Sequence, residues 1–317
     1  MPTAEQLKRR PGREAMERLL SEIAPGGRVT SIARLRGGIS CGMHGVNITE
    51  KSGAKFRIVV RRYNNYWAEK EPDIASREFK TLELLAKTNV PAPWPIWFET
   101  SGEIFGAPTI VQTRLPGRAD LAPSDLDAWL DRLSDALATL HRAEFESAAT
   151  AHLKSHPDRL ARDIKHEDLI ARCAKYPDGE RVLRVLDSSW PAMPRQTLIH
   201  TDYWPGNTVW SRGKLTGIVD WEIPALGEPA YDVAYCRQDL TMLFGLDAAD
   251  RFLTHYEDVS GSRIEQPHFW DLLVATRAMP DPATWLPGYH DLGRTDITKP
   301  VMRHRFREFI QRALASA

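Results

Sequence analysis

The sequence predicts an α+β protein of two lobes. A small, mainly antiparallel β lobe with one important helix comes first, and a larger, mainly helical lobe follows. Three observations predict this. Strand-like runs separated by glycine-rich turns fall early in the chain. Leucines at helical spacing dominate the later part. And 317 residues are long for a single core. The expected division is residues 1–114 and 115–317.

Composition narrows the classes of function. Lys and Arg number 42 and Asp and Glu number 42, so no net charge argues for a nucleic-acid or membrane-surface partner. Cys41, Cys173 and Cys236 lie far apart, without metal-ligand spacing or a disulfide framework. Met1 opens a polar, charged segment with no apolar leader, and no apolar run reaches membrane length. The expectation is a soluble, cytoplasmic protein.

In the first lobe, Leu19, Leu20 and Ile23 mark a helix over residues 4–24 that Pro25-Gly26-Gly27 ends. Val29 to Leu35 reads as a strand. Arg36 to Gly45, with Gly37, Gly38, Gly42 and Gly45, reads as a glycine-rich turn, either a plain hairpin loop or a loop able to cover phosphate. Val46 to Ile48 and Phe56 to Arg61 read as further strands. Alternation puts Arg57, Val59 and Arg61 on one face, with Ile58, Val60 and Arg62 on the other. Tyr63 to Trp67 is an aromatic loop of undecided purpose. Residues 73–87 form a helix with Glu78 near its start. Val90 to Pro95 is a rigid extended connection, and Trp97–Glu99 and Thr109–Gln112 form the lobe's last hairpin.

In the second lobe, Ser124 is the expected N-cap of a helix striped by Leu126, Leu130, Leu133, Leu137 and Leu140. Residues 156–186 read as a helical pair broken at Tyr176 to Gly179. Residues 280–293 read as loop, and helices cover 249–258, 269–277 and 301–315. The chemistry sits between. Leu198 and Ile199 lead into His200-Thr201-Asp202, Pro205-Gly206 turns the chain, and Asn207 follows. A hairpin through Arg212-Gly213-Lys214 then leads to Asp220, and it is expected to return Asp220 to the neighbourhood of Asn207. Phosphoryl transfer from ATP needs such a set. Asn207 and Asp220 carry the oxygens that hard Mg²⁺ takes, and Asp202 is left to orient the attacking hydroxyl. The spacing His-x-Asp-x-x-x-x-Asn with a later Asp matches a protein-kinase catalytic loop.

With Ile218-Val219-Asp220-Trp221-Glu222 and Gly227 to Ala234 added, the chain resembles the aminoglycoside phosphotransferase family, small-molecule kinases of the protein-kinase-like superfamily. The resemblance implies a two-lobed protein-kinase-like fold, ATP or GTP as nucleotide, Mg²⁺, and a hydroxylated small-molecule acceptor. It asks for a cation at the end of the third strand touching the α/β-phosphates. Arg61, paired with Glu78, fills that place where kinases carry Lys, and Arg62 is the less favoured choice. Val59 on the same strand, Gly38 and Ser40 in the glycine-rich turn, and Thr113 and Leu115 in the hinge at Gln112–Leu115 complete the implied nucleotide contacts. His200 and Asp232 steady the catalytic loop, and His141 reads as a packed, hydrogen-bonded residue.

Few residues separate Asp220 from the helix expected near Ala230, which leaves no room for a long activation segment and disfavours a protein substrate. A non-catalytic nucleotide-binding module is the main alternative, with Arg61 at the lysine position as its argument. The acceptor is open. Asp239, Asp247, Glu257 and Asp258 could meet a cationic one, but acids on exposed helices are ordinary.

Overall fold

The computed structural model describes residues 2–35, 41–193 and 196–317. Gly38 and Ser40 therefore lie outside the described residues. The chain forms two compact units, one of Met1–Pro116 with Gly217–Ile223, the other of Gly117–Thr216 with Pro224–Ala317.

The first unit is built on a five-stranded antiparallel sheet. Its strands are β1 (Arg28–Arg34), β2 (Cys41–Thr49), β3 (Lys55–Tyr63), β4 (Pro95–Glu99) and β5 (Thr109–Thr113), ordered β1-β2-β3-β5-β4. Helix α1 (Ala4–Leu7) is separate from α2 (Arg13–Ile23). The single helix expected over residues 4–24 is broken because Pro11 lacks an N–H and clashes with a preceding helical turn. Met16, Leu19 and Leu20 of α2 pack on Val46, Ile48, Ile58, Val60 and Val111 of the sheet. Cys41 to Gly45, expected within the glycine-rich turn, already belong to β2 and pair with Val59 to Tyr63. Gly42 is needed there because a Cβ would come within 2.3 Å of the Leu7 carbonyl oxygen.

The aromatic loop is instead helix α3 (Asn65–Lys70), capped by the Asn64 side chain, which accepts from the Trp67 N–H at 3.1 Å. Helix α4 (Ile74–Leu85) packs on β4 and β5, with Phe79 and Phe98 ring centroids 4.7 Å apart.

Residues 217–223, expected in the second lobe, pack within the first unit. Ile218 N–H donates to Pro91 O at 2.8 Å. Gly217 lies so close to Leu115 that a Cβ would come within 2.4 Å of its side chain. The peptide oxygen of Glu222 accepts from Arg77 Nη2 at 3.3 Å.

The second unit is mainly helical. Helix α5 (Leu126–Arg142) is capped by Asp125 rather than Ser124, its carboxylate accepting from Ala128 N–H at 3.0 Å. The 156–186 segment holds three helices rather than a pair: α6 (His156–Asp163), α7 (Glu167–Cys173) and α8 (Gly179–Ser188). A small sheet of β6 (Lys154–Ser155), β7 (Thr197–Ile199) and β10 (Ala225–Gly227) has β10 in the middle. The hairpin β8 (Thr208–Ser211) and β9 (Lys214–Ile218) carries the chain back toward the first unit. Helix α9 (Pro229–Phe244) is buried over nearly its whole surface. It packs against α10 (Leu246–Ser260), α11 (Pro267–Ala275) and α13 (Lys299–Ala315). The stretch read as loop at 280–293 holds a 3₁₀ turn at Pro282–Trp285 and helix α12 (Leu286–Asp291). Cys41, Cys173 and Cys236 are all free and buried. Among the described residues no helix is long and apolar enough to cross a membrane.

Candidate active site

The second unit holds the loop expected to be catalytic. β7 ends at Ile199, and Thr201 then adopts a left-handed φ of 67°, a costly conformation for a β-branched residue. Asp232 in the first turn of α9 holds this bend. Its two carboxylate oxygens accept from the backbone N–H groups of His200 and Thr201, each at 2.7 Å. His141 Nε2 lies 3.2 Å from the same carboxylate, and its Nδ1 lies 2.8 Å from the Tyr256 hydroxyl. So the fully buried Asp232 is satisfied by several donors, as a buried charge requires. His200 Nδ1 accepts from the Asp202 N–H at 3.3 Å. His200, His141 and Asp232 thus brace the loop from below.

Asp202 is only part-buried. The Asn207 amide reaches back across the 3₁₀ turn Pro205–Asn207, and its Nδ2 donates to the Asp202 carboxylate at 2.9 Å and to its backbone oxygen at 3.0 Å. That contact uses the nitrogen end of the amide, leaving the oxygen end as an acceptor for a cation.

The first unit holds a buried charge cluster around Arg61, which is 1% exposed. Its Nη1 donates to Glu78 Oε1 at 3.0 Å. Its Nη2 donates to Asp220 Oδ1 at 2.5 Å and to Glu222 Oε1 at 2.6 Å. The Tyr63 hydroxyl donates to the other Glu78 oxygen. Burial works against the guanidinium's charge, but Asp220 and Glu78 outweigh it and hold its pKa well above the usual arginine range. Asp220 itself takes a left-handed φ of 72° as the chain leaves β9.

Arg62 points elsewhere. Its Nη2 donates to the carbonyls of Leu7 and Arg9, at 2.8 and 2.5 Å. Val59 is buried and pairs with Gly45 and Gln112. In the expected hinge, two N–H groups are already committed, Thr113 to Trp94 O at 2.9 Å and Arg114 to Arg57 O at 3.0 Å. Leu115 lies against Gly217. Asp220 thus belongs with the first unit, and Asp202 and Asn207 with the second.

The pattern that defines the phosphotransferase enzyme family, abbreviated APH, matches residues 46–270, which include Arg61, Glu78, Asp202, Asn207, Asp220 and Asp232. The chain belongs to this phosphotransferase family.

Among its relatives, the acyl-CoA dehydrogenase family member 10 of Mus musculus is 25% identical over 171 residues, covering 50% of this chain and 16% of that protein. The homoserine kinase of Beijerinckia indica subsp. indica is 29% identical over 192 residues, covering 56% of this chain and 58% of that enzyme. The chain thus spans less than two thirds of the length of either. In three dimensions it is similar to the choline kinase LicA of Streptococcus pneumoniae, with a TM-score of 0.61 at 18% identity, over 95% of this chain and 97% of that one. The fold is that of protein-kinase-like phosphotransferases, α+β and two-lobed.

Around Asp202 lie Tyr235, Tyr231, Arg277 and His156, to which the sequence assigned no role, and Asp239, considered there for a cationic acceptor. The Tyr235 hydroxyl, on α9, is hydrogen-bonded to the Asp202 carboxylate. The Arg277 guanidinium lies 5.2 Å from the Tyr235 ring centroid, and its Nη1 donates to the Tyr231 hydroxyl at 3.1 Å. Tyr231 in turn meets the His156 ring edge-on at 4.2 Å, and burial pushes the His156 imidazole down to about 2, so it stays neutral. Asp239, one turn beyond Tyr235, is buried and accepts from the Tyr289 hydroxyl. Burial pushes the Asp239 carboxyl up to about 8, against the pull of Tyr289, and the charge of Asp202 adds to the rise.

Of the other acids considered for a cationic acceptor, Glu257 is engaged by Arg263 and by the Ile264 N–H, while Asp247 and Asp258 are exposed on α10. Glu222 was legible in principle, since it is the second acid of the Asp220-Trp221-Glu222 motif. Arg277 carried no sequence signal.

Proposed function

We propose that this chain is a small-molecule kinase that moves the γ-phosphoryl group of ATP or GTP to a hydroxyl of a small acceptor. The observation that carries the reading is Asp202, held between the Asn207 amide and the Tyr235 hydroxyl on a loop whose backbone Asp232 fixes. A carboxylate so oriented can accept a hydroxyl proton. In the reaction the acceptor oxygen forms a bond to the γ-phosphorus. The bond from that phosphorus to the β–γ bridging oxygen breaks, its electron pair leaves with ADP or GDP, and the acceptor's proton passes to Asp202. Homoserine kinases among the relatives, phosphorylating an alcohol by name, support a hydroxyl acceptor. Only eight residues, 221–228, separate Asp220 from α9, which disfavours a protein substrate.

The donor set suits Mg²⁺. Around Arg61 one cation faces Glu78, Asp220 and Glu222, which leaves two negative charges that a divalent ion would offset. Among the described residues no three His, Cys, Asp or Glu are gathered as a metal cage. A magnesium ion held chiefly by phosphates and water needs only one or two protein oxygens, which Asp220 and Asn207 would give. When bound, the ion would neutralise charge on the transferring phosphoryl group. Both terminal nitrogens of Arg61 are occupied by carboxylates, so a phosphate contact requires one of them to be exchanged. Its main duty on this reading is to aim Asp220. That saturation also favours a second reading, a module that binds nucleotide without transferring phosphate.

An ATP-consumption screen against a panel of hydroxylated small molecules separates the two. With an acceptor in hand, Asp202→Asn should lower kcat by roughly 10²–10⁴-fold with nucleotide affinity kept. Near-normal turnover in that variant would remove Asp202 from the chemistry.

A further inference from the structure

We propose that the acceptor carries an anionic group, a carboxylate or phosphate, and that Arg277 binds it. The proposal rests on the kinase reading above and names the acceptor class for that same site.

Arg277 differs both from Arg62 and Arg305, whose guanidiniums are taken up by backbone carbonyls, and from the arginines paired with acids. Arg77, Arg237 and Arg294 each pair with a carboxylate, as Arg61 does with three. Among the described residues Arg277 has none within ion-pair distance, and the one side-chain hydrogen bond it makes goes to the Tyr231 hydroxyl. The rest of its guanidinium fork, with five N–H donors in all, is uncommitted. The residue is exposed, so those donors are accessible. An exposed arginine alone would mean nothing, since most are solvated.

This one is held in place. The Tyr235 ring lies beneath it at 5.2 Å, and Tyr231 takes one of its donors. Tyr231 is itself fixed by the buried His156 ring, 4.2 Å away, and by Tyr235 at 6.2 Å. A guanidinium with its planar fork fixed in advance suits bidentate capture of a carboxylate or phosphate.

Placement makes this a substrate contact. The ring under Arg277 is the one whose hydroxyl is bonded to Asp202, and the charge of Asp202 acts on Arg277. An anion on Arg277 and a hydroxyl on Asp202 are therefore separated by about the length of a tyrosine side chain. That span fits a small hydroxy acid or a glycerol-sized phosphate, with the hydroxyl a few bonds from the charge.

The surroundings disfavour a cationic acceptor. Asp239, which acts electrostatically on this spot alongside Asp202, is buried against Tyr289 and largely protonated below pH 8. The fixed cation beside the base would repel an ammonium group.

The test pairs each anion with a neutral counterpart: 4-hydroxybutyrate with 4-hydroxybutyramide, and glycerol 3-phosphate with glycerol. The intact chain should prefer the anion in at least one pair, and the pair identifies carboxylate or phosphate. Arg277→Gln should raise KM for that anion by roughly 10- to 100-fold with a smaller change in kcat, so that the preference collapses. Arg277→Lys should restore part of it. Equal rates on both members of each pair, or a uniform kcat loss in Arg277→Gln, would overturn the proposal.

Saturation-transfer NMR with the preferred anion and no nucleotide gives a second readout. Binding that Arg277→Gln abolishes, with no phosphoryl transfer to any alcohol, would sink the kinase reading and leave an anion site at Arg277 with no acceptor role. Transfer to neutral alcohols with no preference for charge would sink this proposal and keep the kinase reading.

Discussion

Arg61 and Arg277 are both arginines beside a carboxylate of the expected catalytic set, yet they sit in opposite kinds of surroundings. Arg61 is almost wholly buried, with three carboxylates on its two terminal nitrogens. Arg277 is exposed and, among the described residues, its guanidinium is hydrogen-bonded only to a tyrosine hydroxyl. The first cation is satisfied by its own chain, which is the condition for burying a charge at all. The second is fixed by aromatic rings but left short of a counter-charge. One arrangement organises the protein, and the other is suited to hold something that is not part of it. Substitutions at the two sites should therefore differ in what they cost.

The largest effect is expected at Arg61. Arg61→Met keeps much of the volume but leaves Glu78, Asp220 and Glu222 facing one another without a cation. Removing one partner from a buried ionic cluster costs about 3–5 kcal/mol. Unmatched carboxylates also favour the protonated form, so their folded pKa values in the variant rise above the unfolded ones. The variant's folded state then binds more protons than its unfolded state, and its stability falls as pH rises. Urea melts between pH 5 and pH 8 (each value approximate) should show a deficit that grows toward the alkaline end. A deficit below about 1 kcal/mol with no pH slope would show that the cluster is not what holds this region.

Next comes Asp239, in the same unit as Arg277. Its folded pKa is about 8, far above the unfolded carboxylate value of about 3.9. The group's contribution is therefore most favourable at low pH and is lost as pH rises from about 4 through 8. Each unit of separation is worth about 1.4 kcal/mol, so the whole window amounts to several kcal/mol. Tyr289, Tyr235, Asp202, Cys236 and Arg277 act on or are acted on by this carboxyl, and of these Tyr289 and Arg277 favour its charge. Asp239→Asn cannot ionise and keeps an oxygen for Tyr289. The variant should be more stable than the parent at pH 8 and indistinguishable from it near pH 4. Parallel stability curves would mean that the carboxyl is ionised throughout.

How these regions were legible in the sequence also differs. The catalytic loop was readable because its groups are local: His200, Asp202 and Asn207 lie within one turn of chain, and Asp232 follows on the next helix. The pairing of Arg61 with Glu78 could be anticipated from a strand, a helix and a known kind of site. Glu222 was not given a role, because its contact with Arg61 joins residues 161 positions apart. Arg62 was left as a rival for phosphate, because nothing in strand alternation shows that the leading segment returns its carbonyls to that guanidinium. The break at Pro11 and the helix at Asn65 were local signals that were under-read, proline punctuation in one case and an asparagine cap in the other. Arg277 was invisible for a deeper reason. Its meaning comes from Tyr231, Tyr235 and Asp202, three residues from other segments, and single-residue chemistry at position 277 says only that a cation is present.

The smallest effect is expected where the functional effect should be specific. Arg277→Gln removes a cation that has no carboxylate at ion-pair distance among the described residues and that acts on Asp202 and Asp239 only from farther off. What disappears is one hydrogen bond to a hydroxyl and a cation–π contact at a largely exposed position, worth about 0.5–1 kcal/mol. Surface substitutions away from ionic networks ordinarily fall within about 0.5 kcal/mol. The melting curve of Arg277→Gln should therefore nearly overlay that of the parent, while Arg61→Met is displaced by several kcal/mol. A silent melt beside a large KM change assigns the uncommitted donors to a bound molecule. A loss comparable to that at Arg61 would mean instead that Arg277 holds Tyr231 and Tyr235 in place as a structural residue, and the contrast between the two arginines would then be one of exposure alone.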